Sequence, residues 1–302
     1  MEQHGISFSI IIPLYNKEHY ISETINSVLN QTYEDYEIIV VNDSSTDNSL
    51  SIVAGFYSNK LKVFTIPNGG VSKARNFGLM KANNSYVCFL DADDVWDVRY
   101  LENLVSIILQ YPESGFITGA YYYCNQEINN ISHIVSLKNK PDNIVLEIDF
   151  FKETINNKRI IALTSCVCIK KSIVQSLSIH FAEGVHMGED ADFWLRIALH
   201  TSSVYYNTPY LYYRGNTENG LVDTYLLSLQ DTFPYWNWYN IQTDNKDKNK
   251  VTTLLIYTTA KYFYEKGEYH NVLPILRKCK GRFMLFNRLF LLLRCFKGIL
   301  LH

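Results

Sequence analysis

Apolar residues along the chain gather in short unbroken runs separated by stretches of helical spacing. Phe8 to Leu14 (FSIIIPL) is apolar and β-branched, with a proline near its end, and reads as a buried strand. Tyr20, Ile21, Thr24, Ile25, Val28 and Leu29 recur every three or four residues and predict a helix. Tyr36 to Val41, Leu61 to Ile66 and Tyr86 to Leu90 are three more buried strands. Thr46 or Asp47 can cap the helix after the second strand, and Val71 to Ala82 reads as the helix after the third. Strands and helices alternating at this length predict an α/β chain with a parallel sheet covered on both faces. In open sheets of this kind, ligands bind at the carboxyl ends of the strands. The polar clusters sit at those ends: Tyr15 to Glu18, Asn42 to Asp47 and Asp91 to Asp94.

From about Gly115 the pattern loosens. Gly115 to Tyr123 and Thr164 to Ile169 read as strands, and Asn125 to Asn143 as a polar loop or hairpin. Gly188 to His200 reads as a helix, with a strand near Val204 to Arg214. Past about Leu221 the chain reads as helices, with a lysine-rich loop at Asp244 to Lys250. Residues 1–220 are therefore expected as one α/β domain, and 221–302 as a helical C-terminal extension with a basic, apolar tail.

Composition suits a folded chain: 302 residues, 47% apolar and 19% charged, with ample material for a core. A formal net charge of −2 speaks against a nucleic-acid partner. The charge is unevenly spread. No acidic residue follows Glu268, whereas Arg277, Lys278, Lys280, Arg282, Arg288, Arg294 and Lys297 do. The first 268 residues thus carry −9 and the remainder +7. Cations among Phe and Leu suit an anionic membrane surface, although Arg288, Arg294 and Lys297 do not fall on one narrow helical face. Six cysteines lack metal-ligand spacing and predict buried or free thiols in a reducing compartment. No charged-then-apolar leader precedes the first strand, and no run approaches the ~20 apolar residues of a spanning helix. The expected location is cytoplasmic, with peripheral attachment to the inner face of the cytoplasmic membrane.

Three acidic motifs carry candidate chemistry. On an extended chain, Asp91 and Asp93 would face the same way about 6.6 Å apart. Two such carboxylates could hold a hard divalent cation that neutralises a diphosphate leaving group. An acidic helix start would look the same. Asp43, ending the second strand, can accept a hydrogen bond from a base N–H or hold a turn. Gly69-Gly70, ahead of Lys73 and Arg75, permits a phosphate at a helix N-terminus or an ordinary turn. Glu189-Asp190 opens a helix, where a carboxylate kept ionised by the helix dipole could deprotonate an attacking hydroxyl. The glycine fingerprints of dinucleotide and P-loop sites are absent.

Taken in order, IIPLYNKEHYISETINSVLNQTYEDYEIIVVNDSSTDNS, NGGVSKARNFG, FLDADD and GEDADFWLRI resemble glycosyltransferase family 2, over about residues 6–215. The resemblance implies a GT-A type fold, with a mostly parallel nucleotide-binding sheet flanked by helices. It implies inverting transfer of a sugar from a nucleotide donor, usually UDP-linked, with Mn²⁺ or Mg²⁺. Pro13, Tyr15 and Glu18 would then frame the nucleotide, and Asp43 would contact the base. Arg75 would lie near the donor, Asp91 on its ribose or sugar side, and Asp93 on the metal. Asp190 would be the catalytic base, with Glu189 and Trp194 on the acceptor side. Many relatives carry a histidine two residues after a Tyr-Arg pair. Here Tyr213-Arg214 is followed by Gly215-Asn216, which leaves metal ligation mainly to Asp93.

The implied partners are a nucleotide-sugar donor and a glycan or lipid-linked acceptor in surface polysaccharide synthesis. The contrasting expectation is a catalytically idle nucleotide-sugar-binding or membrane-docked assembly protein. The missing histidine would suit it, and the intact acidic motifs would not. A sugar nucleotidyltransferase would need a Gly-rich phosphate loop near the first strand, which this sequence lacks.

Overall fold

The computed structural model describes residues 5–185, 187–215 and 235–300. β1 (Phe8–Leu14), β2 (Tyr36–Asn42), β3 (Leu61–Thr65) and β4 (Tyr86–Phe89) run parallel in the order β3-β2-β1-β4. They are linked by α1 (Ile21–Leu29), α2 (Ser49–Ala54) and α3 (Val71–Lys81). Side chains along these runs alternate between two cores. Ile11, Ile39, Val41 and Phe89 enter one, and Ile10, Ile12, Ile38, Val40 and Cys88 the other. An all-apolar strand is what a sheet buried on both faces requires. Pro13 is tolerated in this central strand because pairing with β4 stops at Ile11 and Phe89.

The remaining elements follow in chain order. They are β5 (Val95–Trp96), α4 (Tyr100–Gln110), β6 (Phe116–Gly119), β7 (Tyr121–Asn125), β8 (Ile131–Val135), β9 (Val145–Ile148) and α5 (Phe150–Asn157). Next come β10 (Cys168–Lys170), α6 (Lys171–Leu177), α7 (Glu189–Ala198), β11 (Ser203–Tyr206) and β12 (Leu211–Gly215). The large sheet continues past β4 as β10-β6-β11-β9. β10 is antiparallel to both neighbours, so the sheet is mixed rather than uniformly parallel. A second sheet has the order β5-β12-β7-β8.

Three expected strands resolve differently. The region Val204 to Arg214 is two strands in two sheets. Gly115 to Tyr123 also divides, at Ala120, whose N–H donates to the Tyr206 carbonyl. A Cβ on Gly119 would lie 2.0 Å from the Tyr206 ring, so only glycine fits beneath it. Thr164–Cys166 is a 3₁₀ turn ahead of β10. The polar stretch from Asn125 does contain a hairpin partner, since β8 pairs antiparallel with β7.

Beyond a 3₁₀ turn at Tyr235–Asn240 lie α8 (Lys248–Glu265), α9 (Tyr269–Leu276) and α10 (Leu285–Leu300). The expected boundary at residue 220 falls outside the described residues. Val251, Leu255, Phe263, Val272, Ile275 and Leu291 nonetheless share one apolar core with Ile11 and Phe89 of the sheet. All six cysteines are free, and only Cys279 is not buried.

Candidate active site

The loops after β1 and β2 brace one another. Asn16 takes φ 50° and accepts the Thr46 N–H on Oδ1 at 2.8 Å. Glu18 accepts the Asn48 N–H on Oε2 at 2.9 Å, and its own N–H donates to Asp47 Oδ2 at 3.0 Å. Asp47 Oδ1 also accepts the first N–H of α2, from Ser49 at 2.9 Å. Glu18 therefore holds the loop wall, while Tyr15 beside it is 45% exposed. Asp43 is buried and accepts the N–H groups of Gly69 and Gly70, at 2.9 and 2.8 Å. The glycine N–H groups expected to meet phosphate are thus held by Asp43, with Gly70 at φ 85°. Each carboxylate oxygen has two lone-pair sites, so Asp43 retains capacity for another donor.

Asp91 to Asp94 is a turn, not an extended pair, closed by the Asp94 N–H on the Asp91 carbonyl at 3.0 Å. The turn sends the two outer-facing carboxylates to different partners. Asp91 Oδ1 accepts from Arg75 at 2.8 Å, and Asp93 Oδ2 pairs with Lys17 Nζ at 2.6 Å. Asp94 is fully buried and accepts from Ser165 Oγ at 2.5 Å and the Arg214 N–H at 3.0 Å. Burial, and then the charges of Asp93 and Asp91, push its pKa well above the ordinary carboxylate value. The Arg214 guanidinium fastens the turn from outside. It donates to the carbonyls of Asp93 and Gln126, each at 2.8 Å, and to Glu23 of α1.

The third motif lies at the start of α7. Gly188 takes φ 89°, and its carbonyl accepts from Tyr235 Oη at 3.1 Å. Asp192 accepts from Trp238 Nε1 at 3.0 Å and pairs with Arg196. Residues 235–240 thereby latch the start of this helix. Buried Arg75 joins the two acidic motifs, bonding Asp91 with one nitrogen and Glu189 Oε1 with the other at 3.2 Å. Burial opposes the Arg75 charge, but Asp91 and Glu189 outweigh it and raise the pKa. Burial, followed by the Asp190 charge, pushes Glu189 up to about 7 against the pull of Arg75. Burial also raises Asp190, with Arg75 opposing, and its Oδ1 accepts the Ala191 N–H at 2.6 Å.

Trp194 departs from its expected place on the acceptor side. It is fully buried, with ring centroids 5.5 Å from Phe89, 6.0 Å from Phe116 and 5.6 Å from Phe181. It lies one helical turn after Asp190 and supports that turn from the core. The fold therefore joins Arg75, Asp91 and Glu189 directly, while Tyr15, Glu18 and Asp43 stand on the loops after β1 and β2 and Pro13 lies within β1. Asn216 lies outside the described residues. Sequence reasoning missed Lys17, Ser165 and Tyr235. Lys17 stands in the motif PLYNKE, but only the fold brings it to Asp93. Ser165 and Tyr235 carry no local signal.

The sequence pattern of the family described as "Glycosyl transferase family 2" matches residues 9–171. A relative from Escherichia coli, "UDP-Glc:alpha-D-GlcNAc-diphosphoundecaprenol beta-1,3-glucosyltransferase WfgD", is 35% identical over 190 residues. That match spans 63% of this chain and 68% of WfgD. Three further curated relatives are matched over 17% to 56% of their own length. The crystal structure of Staphylococcus aureus TarS 1–349 with UDP-GlcNAc superposes with a TM-score of 0.68 at 22% identity. It covers 92% of this chain and 81% of that one. The Pyrobaculum calidifontis mannosyltransferase PcManGT, in complex with GDP-Man and Mn²⁺, superposes at 0.53 with 17% identity, over 98% and 74% of the two chains.

Proposed function

Because the chain belongs to glycosyl transferase family 2 and is a glycosyltransferase of GT-A fold, we propose that it transfers a hexosyl or N-acetylhexosaminyl group from a UDP-sugar with inversion. The acceptor is the hydroxyl of a glycan or lipid-linked saccharide at an anionic membrane surface, in surface polysaccharide synthesis. WfgD, named for a UDP-Glc donor and a diphosphoundecaprenol-linked acceptor, supports this reading. The observation that carries it is the Arg75 bridge. One buried cation holds the donor-side acid Asp91 and the base-side acid Glu189 together.

The chemistry needs one base and one stabilised leaving group. The acceptor hydroxyl gives its proton to Asp190 as its oxygen bonds to the anomeric carbon. The bond from that carbon to the diphosphate oxygen breaks on the opposite face, and UDP leaves. Glycosidases, by contrast, need a carboxylate pair flanking the bond. Among the described residues no cluster of three or more metal-ligating side chains occurs. Asp93 is nonetheless a hard oxygen donor already paired with a cation, the Lys17 ammonium. One carboxylate plus diphosphate oxygens and water is an ordinary Mg²⁺ donor set, so the residues fit a cation shared with the donor. Bound there by Asp93, Mn²⁺ or Mg²⁺ would supply neutralising charge to the leaving diphosphate. Lys17, whose ammonium is paired with Asp93, would add a second positive charge beside that carboxylate.

UDP release from UDP-glucose, UDP-galactose and their N-acetyl forms, with and without Mn²⁺, tests the proposal. Asp190→Asn is expected to lower kcat by about 10²–10⁴-fold while leaving donor Kd unchanged. Donor binding without turnover, indifferent to Asp190→Asn, would instead mark a catalytically idle nucleotide-sugar-binding protein.

A further inference from the structure

α10 carries large side chains on two opposite faces. Arg288, Leu291 and Cys295 form a buried face, and α10 rests on α8 and α9. The Arg288 guanidinium donates to the Gly281 carbonyl at 2.7 Å, so this cation serves the inner face. About half a turn around, at ~100° per residue, stand Phe286, Leu289, Phe290 and Leu293. They are 85%, 49%, 57% and 68% exposed. Single exposed apolar residues are common on any protein surface, but four on one stripe are not. The stripe is flanked by exposed Arg282 and by Arg294, whose guanidinium lies 4.5 Å from the Phe290 ring centroid. No acidic residue follows Glu268 to oppose them.

We propose that this outer face of α10 lies in the plane of an anionic phospholipid bilayer and docks the enzyme there. The Phe and Leu side chains would enter the headgroup boundary, and the arginines would meet lipid phosphates. Among the described residues, no helix is long and apolar enough to cross a membrane, so the mode is attachment rather than spanning. A second copy fits the face poorly. A stable dimer buries about 800 Å² per partner from some twenty or more residues, and two such basic segments repel each other. The proposal deepens the membrane part of the proposed function. It rests on that reading only for where the acceptor stands, because docking is read without donor or acceptor.

Sedimentation of the full chain with vesicles tests it. The vesicles are phosphatidylcholine alone, or with about one third phosphatidylglycerol, at about 0.1 M salt. Deleting the helix would uncover the core beneath Leu291, so substitution of the outer residues is the sharper probe. The full chain is expected to follow the anionic vesicles. The triple variant Phe286→Ser, Phe290→Ser, Leu293→Ser is expected to bind them at least about tenfold more weakly. Its melting temperature and its UDP release with a soluble acceptor are expected to stay unchanged. Equal binding to neutral vesicles, or full vesicle binding by the triple variant, would overturn the proposal. So would a lipid-free dimer that the triple variant dissociates. An unsubstituted full chain that fails to follow the anionic vesicles yet releases UDP would sink the docking face alone; one that follows them but releases no UDP from any donor would sink the transferase reading alone.

Discussion

Arg75 is the residue on which the site's electrostatics turn. It is buried between Asp91 and Glu189, and it lowers the cost of ionising both Glu189 and Asp190. Glu189, held near pH 7, places a titration of this acid pair within the working range. Protonation of Glu189 on the acid side removes its charge from the ion pair with Arg75, next to the proposed base Asp190, so kcat/KM is expected to rise with pH through about 7 and then level off. Two substitutions should move that limb in opposite directions. Arg75→Met removes the opposing cation and shifts it to higher pH. Glu189→Gln removes the group that titrates near 7 and leaves a limb at lower pH. A pH–rate profile of all three proteins checks the signs. Coincident profiles would mean that the pair does not control turnover.

At the scale of elements, the start of α7 depends on a neighbour distant in sequence. Gly188 needs its positive φ, and a Cβ there would stand 1.9 Å from Tyr235 Oη. Gly188→Ala is expected to cost about 1–3 kcal/mol and to lower kcat/KM by displacing Glu189 and Asp190. Urea titration should show a lower midpoint with an unchanged slope. The sequence carries no sign of this latch, because Tyr235 lies beyond the last recognisable motif. The first four strands were legible, since their apolar runs stop abruptly at polar clusters. The split at Ala120 was not, because the run there is unbroken and the divider is Tyr206, reached only through the fold. α4 went unpredicted although Tyr100, Leu101, Leu104, Val105, Ile107 and Ile108 recur at helical spacing and are all buried. The acidic motifs were legible as motifs, but their partners were not. Local spacing says nothing of Lys17 reaching Asp93, or of Arg75 reaching Glu189. The supposed reach of Trp194 toward an acceptor failed for a related reason: the inward face of α7 is set by Phe89, Phe116 and Phe181.

On the scale of the whole molecule, the charge division of −9 against +7 does not coincide with a division of packing. The basic segment belongs to helices whose inner faces enter the same core as the sheet. Phe263 of α8 is fully buried in the cluster that contains Ile11, Phe89 and Trp194. A side chain shared in this way ties the stability of α8–α10 to that of the sheet, so calorimetry is expected to show one cooperative transition. Phe263→Ala leaves a cavity at that junction and is expected to cost about 3–5 kcal/mol. The single transition should move down as a unit, by an amount on the order of 10 °C. Two transitions, with only one moved by Phe263→Ala, would show that the helices fold as a body of their own. A single shifted transition would mean that the proposed bilayer face of α10 is carried directly by the core that supports the start of α7, where Asp190 is the proposed base.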